Sequence, residues 1–513
     1  MRQNAGRLAH KSLIFLHKWL GVTLALLFLM WFVSGMVLYF VPFPNLTQTE
    51  RLAGLAPLQM PKGCCVTVDQ AASSAGLNVS GVSEARLGMH DGKPVWRLLG
   101  KPVNELEAAA QWRAVDAQSG ELLQPLSRDA AMAVAEAFSG QKAVRTELLE
   151  RDQWTVPQGL NPYRPLLKID MDGPDGVQLY VSPGSAEVVR DTQRAERFWN
   201  WLGAVPHWIY FTELRRYPDA WHNVIVWLSI PGVILAVTGL VLGVWHLFIN
   251  RVRWIPYRPW WMRWHHITGL AAAIVTLTWI FSGLLSMNPF GVFSARALLA
   301  TERAEWVGAK SQLAINPAQA LAKAPGFTAK EIDLLHAAGQ AWYRLRGDGA
   351  QLLVRSDVQA GQAAPVSALP DETVQAALRE LRRTAKQAGT PSLARLTAYD
   401  DMYYAREVTS NTGYTRPLPV WRAQWADGVV MYADPSSARV LLRVDGSNRW
   451  QRTLYNGLHS FDFAPLLARP LLRDALIVGL SVLGTVLCIT SCVIAWRVLV
   501  LRKRRKLVKA MPY

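Results

Sequence analysis

Four stretches of the chain, near 14–41, 222–249, 263–288 and 472–499, are apolar for long enough to cross a bilayer, which takes about 20 residues of helix. Nothing else in the sequence restricts the fold as much. In hydrocarbon every backbone N–H and C=O must be satisfied inside the spanning structure, so blocks of this length are helices. The apolar residues come in runs and not in alternation, which excludes a porin-like barrel. With 51% hydrophobic and only 18% charged residues the chain is not globally disordered, and a purely soluble enzyme is not expected. The first block follows Arg2, Arg7 and Lys11, as a signal-peptide core would. It is too long for one, and no small-residue cleavage site follows, so it reads as a retained span.

Lys and Arg number 55 against 38 Asp and Glu, a net charge of +17. Their placement argues for topology and against nucleic-acid binding. Arg251, Arg253, Arg258 and Arg263 join the second and third blocks, with no acid among them. The tail carries Arg497, Arg502, Lys503, Arg504, Arg505, Lys506 and Lys509, the first of them in the last turn of the fourth block. Together with the basic N-terminus these segments fall on one side of a four-span chain, and the positive-inside rule makes that side cytoplasmic. The segments 42–221 and 289–471 are then both outside. Each is about 180 residues long and polar, with turns such as Asp116–Gly120, Ser182–Gly184 and Asp434–Ser436. Strand-like runs at Val177–Val181 and Val429–Tyr432 and Ala-rich helical stretches near 128–139 and 371–386 give an α+β pattern. No dinucleotide fingerprint or P-loop is present in the sequence.

The near-equal loops point to an internal duplication. His17, Gly21, Trp31, Ser34 and Gly35 recur 248 residues on as His265, Gly269, Trp279, Ser282 and Gly283. Further along the offset is 252: Arg164–Leu166 matches Arg416–Leu418, Tyr180 matches Tyr432, Arg197 matches Arg449, and His207 matches His459. Phe211, Pro218, Gly232 and Thr238 match Phe463, Pro470, Gly484 and Thr490 in the same way. The chain is therefore span–loop–span, twice. Both copies start and end on the same side, so they are parallel repeats about an axis along the membrane normal.

The duplication singles out histidines. His17/His265 and His207/His459 are present in both copies, whereas His222 falls opposite Asp474, His246 opposite Val498 and His266 opposite Lys18. An ionisable residue at a span is costly without a partner and is a functional candidate; an interfacial, hydrogen-bonded histidine is the plainer reading. The axis brings His17 and His265 together at the cytoplasmic ends of the spans, and His207 and His459 just outside the opposite ends. Two facing imidazoles on bundle helices suit a bis-histidine haem. Without Cys-x-x-Cys-His it would be non-covalent b-type. Zinc, copper or a proton relay remains open, although the carboxylate and thiolate partners of such metals are missing. Gly21, Gly35, Gly269 and Gly283 give room for a flat ring or for ordinary close helix packing. Trp31 lies about 21 Å along the helix from His17. It and Trp279 are expected in the aromatic belt at the outer interface, with a place between two cofactor levels as the alternative. Of the four cysteines, Cys64 and Cys65 are adjacent and Cys488 and Cys492 lie in an apolar stretch; structural or incidental roles are expected.

Leu16–Gly21 with Ser34-Gly35, Trp264–Gly269 with Ser282-Gly283, Pro206–Phe211, Leu454–Phe463 and Tyr432–Pro435 resemble, in that order, the PepSY-associated transmembrane helix family. The resemblance covers most of the chain. Some members of that family are inner-membrane haem proteins that reduce ferric siderophores in the periplasm, and others have no assigned activity. It implies haem contacts at His17, His207, His265 and His459. The added His222, His246 and His266 leave the pairing open, with His246 as a possible substitute for His17 or His265. The expected fold class is a membrane α-helical protein: four transmembrane helices in two parallel pseudo-symmetric repeats, with two periplasmic α+β PepSY-like domains at 42–221 and 289–471. The expected location is the bacterial inner membrane, with both termini cytoplasmic. The expected function is transfer of electrons, through two haems b, from a quinol or a cytoplasmic reductase to a periplasmic ferric chelate or siderophore. The partners are thus the lipid bilayer, a donor and a chelate, and no nucleic acid. The alternative is a non-enzymatic sensor or a partner-binding, protease-regulating membrane protein.

Overall fold

The computed structural model describes residues 2–61, 63–103, 109–249, 255–383, 385, 389–405 and 416–510. Arg251 and Arg253 lie outside the described residues, as do the side chains of Arg2 and of residues 501–510. The chain divides into two compact units. One comprises residues 1–43, 198–294 and 447–513, and the other residues 44–197 and 295–446.

The first unit is helical. Its long helices are α1 (Arg2–Phe40), α2 (Pro218–Ile249), α3 (Trp260–Ser286) and α4 (Pro470–Ala510). All four are long and apolar enough to cross a membrane. Helices α2 and α4 cover the whole of their apolar blocks, whereas α1 and α3 begin before theirs and end at Phe40 and Ser286, one and two residues inside the expected edges at 41 and 288. Helix α1 packs on α2 and α4, and α3 packs on the same two, so the four close into a ring with α1 and α3 facing each other across it. Leu24, Phe28, Phe32, Ile280 and Cys488 form the centre. Close approach depends on glycine: a Cβ at Gly484 would overlap the Phe32 ring, and one at Gly232 would stand 3.1 Å from the Ile280 side chain. Small residues of this kind let apolar helices gain dispersion contacts where lipid offers no hydrophobic drive. Trp31 and Trp279 pack against this same cluster, with the Trp279 ring 5.6 Å from Phe32 and 6.1 Å from Phe461. They are bundle residues and not the interfacial belt that their position in the apolar run suggested.

The second unit is α+β. Its strands are β1 (Glu84–His90), β2 (Lys93–Gly100), β3 (Gln111–Asp116), β4 (Ala143–Leu149), β5 (Leu166–Met171), β6 (Gln178–Ser182) and β7 (Glu187–Thr192) from the first loop segment. The second supplies β8 (Glu331–Ala337), β9 (Gln340–Arg346), β10 (Gln351–Arg355), β11 (Pro365–Val366), β12 (Ser392–Leu396), β13 (Val420–Gln424), β14 (Val430–Asp434) and β15 (Arg439–Val444). Strands β4 to β7 and β12 to β15 make two four-stranded antiparallel sheets in sequential order. The remaining strands form one seven-stranded sheet, β11-β10-β9-β8-β1-β2-β3. It is continuous because β1 pairs with β8, Arg86 opposite Asp333 and Leu87 opposite Ile332. The expected helix near 128–139 is present at Arg128–Ser139, closed by Gly140 in the left-handed conformation, and that near 371–386 is shorter than expected, Asp371–Glu380, because the backbone turns extended at Leu381.

Charges are buried at the β1–β8 seam. Arg51 binds both oxygens of Glu331 at 2.8 Å, Arg86 binds Glu187 at 2.7 Å, and Arg346 closes on Glu331. Burial by itself would raise Glu331, but the guanidiniums of Arg51, Arg346 and Arg86 outweigh it and hold the carboxyl well below the usual range. Such a network specifies which strand edges meet more than it adds net stability. Cys64 and Cys65 form a disulfide between neighbours in sequence, and Cys488 and Cys492 are free thiols.

Candidate functional site

The helical unit brings the four duplicated histidines together as two pairs. The rings of His17 on α1 and His265 on α3 stand 6.4 Å apart, centre to centre. Those of His207 and His459 stand 6.3 Å apart. A metal–imidazole bond is about 2 Å and the ring centre lies about 1 Å beyond the nitrogen, so two imidazoles on opposite sides of one metal stand roughly 6 Å apart.

His17 and His265 ride on spanning helices. His207 and His459 sit in short helices, Ala204–His207 and Leu458–Ser460, the latter preceded by a π-helical turn at Arg452–Gly457. Two residues beyond each of these histidines the backbone turns left-handed, at Ile209 (φ 50°) and Phe461 (φ 52°). That conformation is costly for a branched or aromatic residue, yet it occurs at both positions of the repeat.

The second nitrogen of each ring is fixed by a recurring device. His17 Nδ1 lies 3.2 Å from Thr238 Oγ1 and 3.3 Å from the Leu235 carbonyl. His265 Nδ1 lies 3.2 Å from Ser491 Oγ and 3.5 Å from Thr490 Oγ1. His207 Nδ1 meets the Trp31 carbonyl at 3.2 Å and Ser34 Oγ at 3.3 Å, and His459 Nδ1 meets Ser282 Oγ at 2.9 Å. Every one of these hydroxyls donates its own proton back to its helix: Thr238 to Leu235, Thr490 and Ser491 to Leu487, Ser34 to Trp31, and Ser282 to Trp279. A hydroxyl has one proton. Having spent it on the backbone, it accepts from the imidazole, so all four rings carry hydrogen on Nδ1 and the lone pair on Nε2. An outer hydrogen bond that sets tautomer and orientation is the usual support of a metal-bound histidine. Burial lowers His207, with a partial offset from its bond to Trp31, to about 4, so its ring is neutral and its lone pair is present at neutral pH.

Glycine sets the seat of two of the rings. A Cβ at Gly35 would lie 2.8 Å from His207 Cε1, and one at Gly239 would lie 2.8 Å from His17 Cε1. The repeat partners are looser. A Cβ at Gly283 would lie 3.7 Å from His459 Cε1, and the position matching Gly239 is Ser491, which hydrogen-bonds His265 instead.

His17 and His265 line a cavity of about 560 Å³ inside the ring of helices, walled largely by apolar side chains. That volume is in the range of sites for cofactors and drug-sized ligands. His246, Tyr257 and His266 also line it. His246 is engaged at both ring nitrogens: Nδ1 with the Tyr257 hydroxyl at 2.6 Å and Nε2 with His10 Nε2 at 3.2 Å. With neither nitrogen open, it is poorly placed to replace His17 or His265. His222 is half-buried at the head of α2 and belongs to neither pair. His10 and Tyr257 were not singled out by the sequence. The seven-residue spacing from His10 to His17 puts both on one helix face and was the signal for His10. Among the described residues no three His, Cys, Asp or Glu side chains gather as a metal cluster.

A family model described as the PepSY-associated TM region matches residues 14–353, more than half of the 513-residue chain. No curated protein and no solved structure matches the chain.

Proposed function

Since the chain belongs to the PepSY-associated TM region family, we propose that it is a four-span inner-membrane b-type cytochrome that passes electrons across the membrane to a periplasmic ferric chelate, a siderophore being the expected form. The observation that carries this reading is the pair of imidazole pairs, 6.4 and 6.3 Å apart, each ring held with its lone pair on Nε2. The residues fit haem. The donors are two imidazole nitrogens per level, among the described residues no third His, Cys, Asp or Glu gathers with them as a metal cluster, and the His17–His265 pair faces a largely apolar cavity. His17 and His265 would hold one haem b, and His207 and His459 a second. Bound haem supplies one-electron transfer at a potential set by its axial ligands and surroundings.

The chain's own part is to fix the four nitrogens, exclude water and keep the levels in register. Thr238, Ser491, Ser34 and Ser282 orient the rings; Phe28, Phe32, Trp31 and Trp279 fill the bundle between them. The matched surroundings of the two copies support parallel repeats. In this reading the basic loops are cytoplasmic, both termini are cytoplasmic, and segments 42–221 and 289–471 are periplasmic PepSY-like domains. The Cys64–Cys65 disulfide suits an oxidising compartment.

The test is the visible spectrum of the chain purified in mild detergent from haem-replete cells. We expect a red protein with a dithionite-reducible, low-spin b-type spectrum and about two haems per chain by extraction, which then reduces a ferric chelate. A colourless, haem-free protein would overturn the reading and favour a sensor or partner-binding role.

A further inference from the structure

The cavity has a chemically distinct end that two imidazole ligands do not use. Tyr257, His246 and His266 line it together, with the Tyr257 ring 5.4 Å from His266 and 5.8 Å from His246. His266 is 6% exposed, and its Nε2 is buried without a hydrogen-bond partner among the described residues. A buried nitrogen left without a hydrogen bond is destabilising, so its place on a cavity wall points to a ligand that supplies the missing bond. Lys18, Thr276 and Ser491 are the other polar side chains of the lining beside His17 and His265, and the remainder of the wall is apolar. A ligand matching this lining has a polar, hydrogen-bonding head and an apolar body.

From that end a hydrogen-bonded chain leads away. The Tyr257 hydroxyl bonds His246 Nδ1 at 2.6 Å, and His246 Nε2 bonds His10 Nε2 at 3.2 Å. His10 is half-buried and does not line the cavity; Trp245 packs on its ring at 4.9 Å. The three groups form an unbroken relay from the cavity wall to a side chain that meets solvent. His10 and His246 each stand seven residues, about 10 Å of helix, from the His17 level, at His17 itself and at Gly239.

We propose that this end of the cavity binds and oxidises an isoprenoid quinol, and that Tyr257, His246 and His10 carry its protons out. The proposal rests on the haem reading above and names its electron donor. A quinol has the required shape: a two-hydroxyl ring for Tyr257 and His266, and an apolar tail for the wall. The sequence has no dinucleotide fingerprint, so no nicotinamide site competes for the role. In the step, a quinol O–H bond breaks as its proton passes to the Tyr257 oxygen. Tyr257 gives its own proton to His246 Nδ1, and His246 gives the Nε2 proton to His10. After the relay resets, the half-oxidised ring turns to present its second hydroxyl to the Tyr257 oxygen, and that proton leaves by the same route. The ring becomes the quinone, and haem held by the two histidine pairs would accept its two electrons, one at each level. His266 holds the head group by a hydrogen bond and takes no proton. Under the proposed orientation the relay empties on the cytoplasmic side.

The experiment uses the full chain in detergent and reads binding and electron transfer separately. An azido-substituted quinone is photolysed on the protein, with and without excess decylubiquinone, and labelled peptides are mapped. Haem reduction by decylubiquinol is followed by stopped flow, with dithionite as a control for intact haem. Wild type should be labelled, competitively, on the peptide carrying Tyr257 and His266. Tyr257→Phe and His246→Gln should keep the dithionite-reduced spectrum while quinol-driven reduction slows by about 100-fold, the lower range of a lost proton-transfer group. His10→Gln should slow reduction about tenfold or more, with decylubiquinone competition unchanged and a larger solvent isotope effect. Competitive labelling elsewhere, or haem that dithionite reduces and quinol does not, overturns the quinol site and leaves the haem reading standing, with a protein donor as its replacement. A haem-free chain that is still labelled at Tyr257 overturns the haem reading and keeps the binding site. Variants that reduce at the wild-type rate overturn the relay.

Discussion

Gly35→Ala separates a haem seat from ordinary helix packing. The added Cβ would lie 2.8 Å from His207 Cε1, whereas ordinary contact begins at 3.4 Å, so the ring must retreat by about 0.6 Å or tilt away. Metal–nitrogen bonds of about 2 Å tolerate roughly 0.2 Å of error, a third of that displacement. The fold itself should survive. Overpacking costs about 1–3 kcal/mol, and alanine is better than glycine in a helix by roughly 1 kcal/mol. Gly35→Ala should therefore elute and span normally but lose one of two low-spin haem signals, that of the His207–His459 level. Gly239→Ala, also at 2.8 Å but from His17, should lose the other. Gly283→Ala and Gly21→Ala, with 3.7 Å to His459 and 3.9 Å to Leu235, should keep both. Haem per chain and low-spin ferric resonance are measured on all four. If Gly35→Ala keeps full haem and both resonances, or if Gly283→Ala loses as much as Gly35→Ala, the close imidazole contact is not part of a ligand seat.

Ser34→Ala removes the acceptor that helps fix the tautomer of His207 and should weaken haem retention about 10–100-fold, read by transfer to apomyoglobin. His459→Ala should abolish the second low-spin signal outright, while His222→Ala, outside both pairs, should shift the spectrum without loss of haem; the reverse result would reassign the ligands to α2 and α3. Glu331→Gln strands Arg51, Arg86 and Arg346 at the strand seam and should cost about 3–5 kcal/mol in thermal or denaturant unfolding. The same carboxylate predicts the acid limb. Its folded pKa is depressed below 4.5, so its contribution is complete above that value and is lost as pH falls below it. The stability difference between wild type and Glu331→Gln should be full and constant between pH 7 and 5 and should shrink as pH falls below 4.5. A reporter fused after Tyr513 should be active in the cytoplasm and one inserted near residue 360 in the periplasm; a periplasmic C-terminus would refute the orientation.

Hydrophobic run length was enough to find all four spanning helices, because hydrocarbon leaves a chain no other way to satisfy its backbone. The pairing of His17 with His265 and of His207 with His459 followed from the duplication, since two copies of one histidine on equivalent helices approach across the ring those helices form. What the repeat could not supply is whatever occurs once. His10 and Tyr257 have no partner copy, and their hydrogen bonds to His246 come from the closure of the ring. The β1–β8 pairing was equally hidden: strand periodicity marks Glu84–His90 and Glu331–Ala337 but not which edges meet. The charges that decide it, on Arg51, Arg86, Glu187 and Glu331, look like surface residues until they are buried together. Trp31 and Trp279 were misplaced for a related reason. Tryptophan late in a span is common at the interface, and only the packing on Phe28 and Phe32 shows that the bundle takes them in.

The departures from the repeat are not scattered. At the His207–His459 level the copies match closely: Ser34 with Ser282, Gly35 with Gly283, Ile209 with Phe461 in the left-handed region. At the His17–His265 level they diverge, with Gly239 against Ser491, His246 against Val498 and His266 against Lys18, all of them lining the same cavity. A duplicated pair can hold a metal without favouring either copy, so nothing selects for asymmetry there. A site that must accept a two-hydroxyl donor and release its protons on one side needs one entrance and one relay, and a second copy would only leak. The concentration of unmatched polar residues at the cavity, Lys18 on α1, His246 on α2, His266 on α3 and Ser491 on α4, with His10 bonded to His246, is what a duplicated electron carrier would show after one of its two equivalent ends had taken on the donor's chemistry.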